Sequence, residues 1–394
     1  MTTSTKHILA ITGTRAEFGV MLSLLEALRA DRRFRLSVMA TAGHLMPQLG
    51  STWKEIEQQG FSLVSKVPMK LGDHSPSAIA QAGGQGVRDI ARSLRRIQPD
   101  LVVLTGDRYE TLAAAMAAFL CMIPIVHLHG GEMTIGAMDD SLRHAITKLS
   151  HVHFASTRAY GRRLRQLGEE KWRVHVVGAP SLDGLLNKPM LTADELSRRI
   201  GLDVSEPTVM VTYHPATLVD EPPGKTFDHI ARALERRGIN VIVTGPNADP
   251  GSGEILAAIR RFTRRYARVR HIPSLGHQAY LSALACMQAM IGNSSSGIIE
   301  AASFRLPVVD IGQREGGRVA PANVVNVPPT AAGIEKGLRK VLSAGFYSSL
   351  KRLKNPYGDG RSAPRMMKIL TYLPPRAVLL AKRFVDYVVP EGCR

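Results

Sequence analysis

Aromatic residues make up only 5% of this 394-residue chain, and two of them are tryptophan. A protein that stacks nucleobases needs a richer supply, and no DNA- or RNA-binding motif is present. Cysteine is scarce too: Cys121, Cys286 and Cys393 are an odd count without metal-ligand spacing. That excludes a disulfide framework and a cysteine-ligated zinc site, and reads as reduced thiols. No apolar run approaches the length of a membrane span, and the stretch 8–11 is too short for a signal-peptide core. The expectation is a cytoplasmic protein with neither membrane nor nucleic acid as partner. Acidic side chains are the minority charge, 33 against 51 lysines and arginines, for a net +18. The excess is scattered over predicted helices, as in Arg92, Arg95 and Arg96 or Arg260, Arg261, Arg264 and Arg265. Such spacing fits solvated faces, and the summed field favours an anionic substrate.

Apolar content is ordinary at 44%, and the length accommodates two domains with full cores. The first half alternates strand and helix patterns. Strands are predicted at 6–12, 34–41, 101–104, 123–128, 151–155 and 174–177, with helices at 16–30, 77–97, 111–121 and 140–149. Gly178-Ala179-Pro180 breaks the series, and 188–207 reads as a polar hinge with one helix capped by Thr192. A second series follows, with strands at 209–213, 240–244, 269–272, 289–292 and 307–311. The reading is an α/β protein of two doubly wound, Rossmann-like domains. The first spans 1–180 and is joined by a last helix at 376–390; the second spans 181–370.

The densest chemistry follows the apolar run 119–126. His127, His129, Glu132, Asp139, Asp140, Arg143 and His144 crowd one short stretch at the carboxyl end of a predicted strand. Ligands bind at that edge of open α/β sheets. Ionisable groups set close together spread their pKa values, which suits one acid and one base. Asp139 and Arg143 are four apart and can pair on one helical turn. A zinc site built on His127, His129, His144, His151 and His153 lacks a third ligand at a characteristic spacing, so no metal is predicted. Two other strand ends share this character. Gly13-Thr14-Arg15-Ala16-Glu17-Phe18-Gly19 offers amides at a helix start and the Arg15 guanidinium to a phosphate. Asp107 follows the third strand, either as a helix cap or as a site acid. In the second half, His214 ends a strand, and Ser294, Ser295, Ser296 and Gly297 form a turn able to cradle a diphosphate. Glu300 lies one turn on, placed for ribose hydroxyls, and Arg314 and Arg318 can add charge to the same phosphate or line a solvated loop.

These motifs taken together resemble the hydrolysing UDP-N-acetylglucosamine 2-epimerases of the sialic-acid and legionaminic-acid pathways. The resemblance rests on the 13–19 turn, Gly-Asp-Arg-Tyr-Glu at 106–110, His-Gly-Gly-Glu at 129–132 and the 139–151 segment. Val-Gly-Ala-Pro-Ser-Leu-Asp at 177–183, Gly-Asn-Ser-Ser-Ser-Gly-Ile-Ile-Glu at 292–300 and Asn-Pro-Tyr-Gly-Asp-Gly at 355–360 complete it. It implies a GT-B-like arrangement with a UDP-sugar in an inter-domain cleft, and no cofactor. It implies a diphosphate near Arg15 and the 294–296 serines with charge added by Arg318, Glu300 near the ribose, Arg143 among the substrate-binding residues, and a homodimer or homotetramer. Asp107, Asp139 and His214 match functional positions. At position 129 related epimerases carry an acid and this chain carries His129; either Glu132 or His129 does the acid's work, and Glu132 is favoured. The implied reaction turns UDP-N-acetylglucosamine into N-acetylmannosamine and UDP through a glycal. The alternatives are the same reaction on a 2,4-diacetamido-2,4,6-trideoxy sugar, the non-hydrolysing epimerase, a GT-B glycosyltransferase, and a basic binding protein without activity.

Overall fold

Every strand predicted from an apolar run is a strand in the computed structural model, which describes residues 5–47, 50–69, 75–135, 138–185, 189–215, 222–246 and 251–386. The chain divides into two units. The first holds β1 (Lys6–Thr12), β2 (Phe34–Thr41), β3 (Leu63–Val67), β4 (Leu101–Thr105), β5 (Ile125–Leu128), β6 (Val152–Ala155) and β7 (Val174–Val176). They pair in parallel in the order β3-β2-β1-β4-β5-β6-β7. The second holds β8 (Thr208–Thr212), β9 (Asn240–Thr244), β10 (Val269–Ile272), β11 (Ala289–Gly292), β12 (Val308–Ile311) and β13 (Val324–Val327). Its parallel order is β10-β9-β8-β11-β12-β13. The fold is thus two doubly wound α/β domains, as the alternation predicted. The strands that sequence missed, β3 and β13, are both edges, and each is only partly buried.

Parallel strands bury both faces, so they read as continuous apolar runs. In β1, Ile8 and Ala10 join the layer of the Arg15–Ala30 helix, which contributes Phe18, Met21, Leu24, Leu25 and Leu28. Leu9 and Ile11 face the opposite layer, with Ile90 and Leu94 of Pro76–Ile97 and the alanines of Tyr109–Leu120.

The return to the first unit comes at Tyr357, earlier than the boundary expected at 370. Met366 and Leu370 of the Ser362–Thr371 helix sit in the first unit's core, and an amphipathic helix goes where its apolar stripe is buried. The last helix is also shorter than the 376–390 expected. It ends at Leu380, and 387–390 lie outside the described residues. Arg173 explains the stop. Its buried guanidinium donates to the carbonyl oxygens of Leu379 at 2.8 Å and of Val378 and Ala381 at 3.2 Å. Lys382 then donates to the carbonyl oxygens of Thr147, Lys148 and Ser150 at 3.1, 2.9 and 2.7 Å. It thereby caps the carboxyl end of the Met138–Leu149 helix, where a cation is favoured.

Lys382 also meets the buried Glu169 carboxylate at 2.7 Å, as do Lys148 at 2.8 Å and His153 at 2.9 Å. Burial opposes ionisation of Glu169, but the His153 hydrogen bond and the ammonium groups outweigh it and bring the carboxyl down from 4.5 to about 2. Its contribution to stability is therefore full above pH 4.5 and fades as pH falls towards 2. Glu169→Gln should lower the unfolding free energy by about 3 kcal/mol at pH 7, and the deficit should shrink through that acid window. Urea unfolding followed by tryptophan fluorescence checks this, because Trp53 and Trp172 both belong to the first unit.

Candidate active site

A parallel sheet delivers all its strand ends to one edge, where backbone and side chains must satisfy each other. After β1, Thr14 and Glu17 form a capping box on the Arg15–Ala30 helix. Glu17 accepts from the amides of Gly13 at 2.7 Å and Thr14 at 3.2 Å, and from the Thr111 hydroxyl at 3.2 Å. Two amides that the sequence offered to a phosphate are therefore already engaged. Burial and then the neighbouring Glu110 push Glu17 up to about 7. Glu110 takes the Arg108 guanidinium at 2.8 Å, and its charge raises the Arg108 pKa. A Cβ on Gly13 would lie 2.5 Å from Glu110 Cγ, so only glycine fits there. Arg15 turns outward and pairs with Glu55 at 3.1 Å.

Asp107 is not a helix cap. Arg108 holds that position for Tyr109–Leu120, without a side-chain cap bond. Asp107 instead pairs with Arg143, whose side chain is 2% exposed. The sequence allows Arg143 to pair with Asp139 four residues before it; the guanidinium also reaches across to the end of β4, with Asp140 at 4.0 Å. The reason is burial: an almost enclosed guanidinium needs a carboxylate at close range. Asp139, in the first turn of the same helix, adds negative potential at Arg108.

After β5 the His-Gly-Gly-Glu loop folds back on itself. His127 donates from Nε2 to the Gly106 carbonyl oxygen at 2.8 Å, and burial brings its pKa down to about 3. His129 takes a left-handed backbone at φ 63° and places Nδ1 2.7 Å from Glu132 Oε1. The Ser156 hydroxyl donates to the same oxygen at 2.7 Å. Gly131 makes the reversal possible: its φ is 77°, and a Cβ there would lie 2.6 Å from the Tyr160 carbonyl oxygen. Arg163 closes the loop with a 2.5 Å hydrogen bond to the Gly131 carbonyl oxygen. Asp107, Arg143, His129 and Glu132 thus share the edge formed by β4 and β5. Ser156 and Arg163 escaped sequence reasoning, since neither lies in a motif.

The second unit presents its own strand ends. Gly292, at φ 140°, passes so close to β8 that a Cβ would stand 1.9 Å from the Thr212 carbonyl oxygen. The next residue, Asn293, clamps His214: its Oδ1 accepts from the His214 amide at 2.7 Å and its Nδ2 donates to the His214 carbonyl oxygen at 2.8 Å. Burial, and secondarily the Arg314 charge, bring His214 down to about 4. Ser294 begins the Ser295–Ile299 helix without a side-chain cap bond, so its hydroxyl is not a cap. Ser296 is engaged by Tyr280 at 2.6 Å and by Glu300. A Cβ on Gly297 would lie 3.0 Å from Val308, which keeps this turn against β12. Arg314 donates to the Asn293 carbonyl oxygen at 2.9 Å, and both Arg314 and Arg318 pair with Glu315 at 2.7 Å. The clamp by Asn293 and the Tyr280 hydroxyl went unnoticed in the sequence; the Gly-Asn step at a strand end is the signal that announces them.

The chain is 36% identical over 377 residues to the hydrolysing UDP-N,N'-diacetylbacillosamine 2-epimerase of Legionella pneumophila, covering 96% of this chain and 98% of that one. It is 34% identical to the hydrolysing GDP/UDP-N,N'-diacetylbacillosamine 2-epimerase of Campylobacter jejuni, covering 82% and 84%. In fold it is similar to the Neisseria meningitidis UDP-GlcNAc 2-epimerase bound to UDP-GlcNAc, with a TM-score of 0.81, 18% identity and coverage of 93% and 100%. With these relatives, the two parallel-sheet α/β units are those of a UDP-sugar 2-epimerase. The chain belongs to the UDP-N-acetylglucosamine 2-epimerase family, which it matches over residues 26–371.

With its pKa near 4, His214 is neutral at pH 7. In the unliganded protein its imidazole should titrate well below an exposed histidine in an NMR pH series. Arg314→Gln should move the midpoint upward but leave it below 6.5, the ordinary value, because burial is the larger cause.

Proposed function

We propose that this protein is a hydrolysing 2-epimerase that converts a UDP-activated 2-acetamido sugar into UDP and the free 2-epimer. The observation that carries the reading is the joint edge of β4 and β5, where the Asp107–Arg143 ion pair and the His129–Glu132 pair stand on neighbouring strand ends. The C2 proton of a sugar ring is weakly acidic, so its removal needs a base held close and partly desolvated. As that proton leaves, the C2–H electron pair becomes the C1=C2 bond of a glycal, and the C1–O pair departs with UDP. Water then adds its hydroxyl at C1, and a proton returns to the opposite face of C2. One water is consumed and no redox partner is needed.

Asp107, Asp139 and the His129–Glu132 pair are the proton-handling candidates, with Arg143 keeping Asp107 in place. In the second unit, Ser294, Ser295, Ser296 and Gly297 take the diphosphate, with Glu300 towards the ribose. Arg15 and Arg318 supply charge to the departing UDP, and neutral His214 supplies a hydrogen bond. This reading carries with it a cytoplasmic homo-oligomer without a cofactor.

The two hydrolysing relatives favour N,N'-diacetylbacillosamine, a 2,4-diacetamido-2,4,6-trideoxy sugar, as the substrate's sugar. UDP-N-acetylglucosamine giving N-acetylmannosamine is the second reading, favoured by 29% identity to the UDP-N-acetylglucosamine 2-epimerase of Neisseria meningitidis.

Incubation with each UDP-sugar in deuterated water tests both. The expected products are UDP and free 2-epimeric sugar carrying deuterium at C2, formed faster from the diacetamido substrate. Epimer still attached to UDP would overturn the hydrolytic assignment, and no turnover of either sugar would overturn the reading as a whole. Asp107→Asn should slow sugar release by about 10²- to 10⁴-fold, with UDP affinity by calorimetry essentially unchanged.

A further inference from the structure

His127 and His129, one on β5 and one just past its end, are held in opposite tautomers. A carbonyl oxygen only accepts, so the 2.8 Å contact from His127 to Gly106 puts the proton of that neutral ring on Nε2. A carboxylate also accepts, so the 2.7 Å contact from His129 to Glu132 puts its proton on Nδ1. In a neutral ring the lone pair of His129 then lies on Nε2. That atom is buried and has no hydrogen-bond partner among the described residues. An orphaned buried nitrogen is costly, and a ligand atom would relieve it.

Glu132 is differently placed. Its Oε1 already receives the His129 ring and the Ser156 hydroxyl, both at 2.7 Å. Its side chain is 3% exposed against 13% for His129. The carboxylate stands behind the imidazole, and the backbone is arranged to keep it there. Residue 129 accepts a left-handed φ of 63°, unfavourable for a side chain with a Cβ, and is tied by its amide to the Phe154 carbonyl oxygen at 3.1 Å.

Within the 2-epimerase reading above, we infer that His129 is the catalytic base at C2, acting through Nε2. Glu132 is a positioning residue that fixes the tautomer, and Ser156 in turn positions Glu132. Nε2 takes the C2 proton while the C2–H pair becomes the C1=C2 bond and the C1–O pair leaves with UDP. The imidazolium, stabilised by Glu132, later gives its proton to solvent. The sequence-based preference for Glu132 as the proton-handling group is reversed.

The test uses the full-length protein labelled with ¹⁵N-histidine, with resonances assigned from His127→Gln and His129→Gln. His129 should appear as the Nδ1–H tautomer and His127 as Nε2–H. His129→Gln and Glu132→Gln should each lower kcat about 10²- to 10³-fold, with KM little changed. The double variant should be no slower than His129→Gln alone, because groups acting as one unit are non-additive. Ser156→Ala, the mildest change, should lower kcat about tenfold and shift the His129 resonances. His129 found as Nε2–H, a His129→Gln variant keeping a tenth or more of wild-type kcat, or a double variant much slower than His129→Gln would overturn the inference. Wild type that turns over neither UDP-sugar would instead overturn the epimerase reading, and the tautomer measurement would still be readable.

Discussion

A guanidinium removed from water has to be met by a carboxylate, and the organisation of the first unit's strand edge depends on that demand at Arg143. Its partner, Asp107, comes from the end of β4, so the ion pair fixes the Met138–Leu149 helix against a strand it does not adjoin in sequence. Asp139 and Asp140 are carried into place by the same helix. At the far end Lys382 supplies the positive charge that a helix terminus favours. One short helix is thus held by charge at both ends, and a helix so held presents its first turn with little freedom. Fixed geometry of this kind is what positions reacting groups in general.

The His-Gly-Gly-Glu loop follows the same logic by other means. Gly131 permits a reversal that a side chain would block at the Tyr160 carbonyl, and the reversal brings residues 129 and 132 together. The second unit repeats the device at Gly292, where close approach to the Thr212 carbonyl lets Asn293 grip the main chain of His214 from both sides. In each unit glycine lets a strand end approach a neighbouring backbone closely, and a polar side chain locks the approach.

Much of this was legible in the sequence, for reasons specific to each element. The 8–11 run and its counterparts announce buried parallel strands, because both faces of β1 are covered. Edge strands β3 and β13 are half wetted and carry no such run. Asp107, Glu132, Asp139 and the serine turn were legible as residues, since polar groups directly after strands stand at the ligand edge. Their pairings were not. Spacing within a helix suggested Asp139 for Arg143, but nothing local announces the Asp107 carboxylate 36 residues upstream. The Thr14–Glu17 capping box was spelled out in the sequence, but an amide-rich helix start reads equally well as a phosphate site. The placement of the Ser362–Thr371 helix was hidden because its apolar stripe says that it packs, and not on which sheet.

That helix has a consequence for how the chain is made. Met366, Leu370 and Leu379 complete a core whose other members begin at Ile8. The first unit to emerge from the ribosome is therefore the last able to close, while most of its companion is continuous from Leu185 to Pro356 and can condense beforehand. During translation the first unit waits, with apolar surface open, for Met366, Leu370 and Leu379.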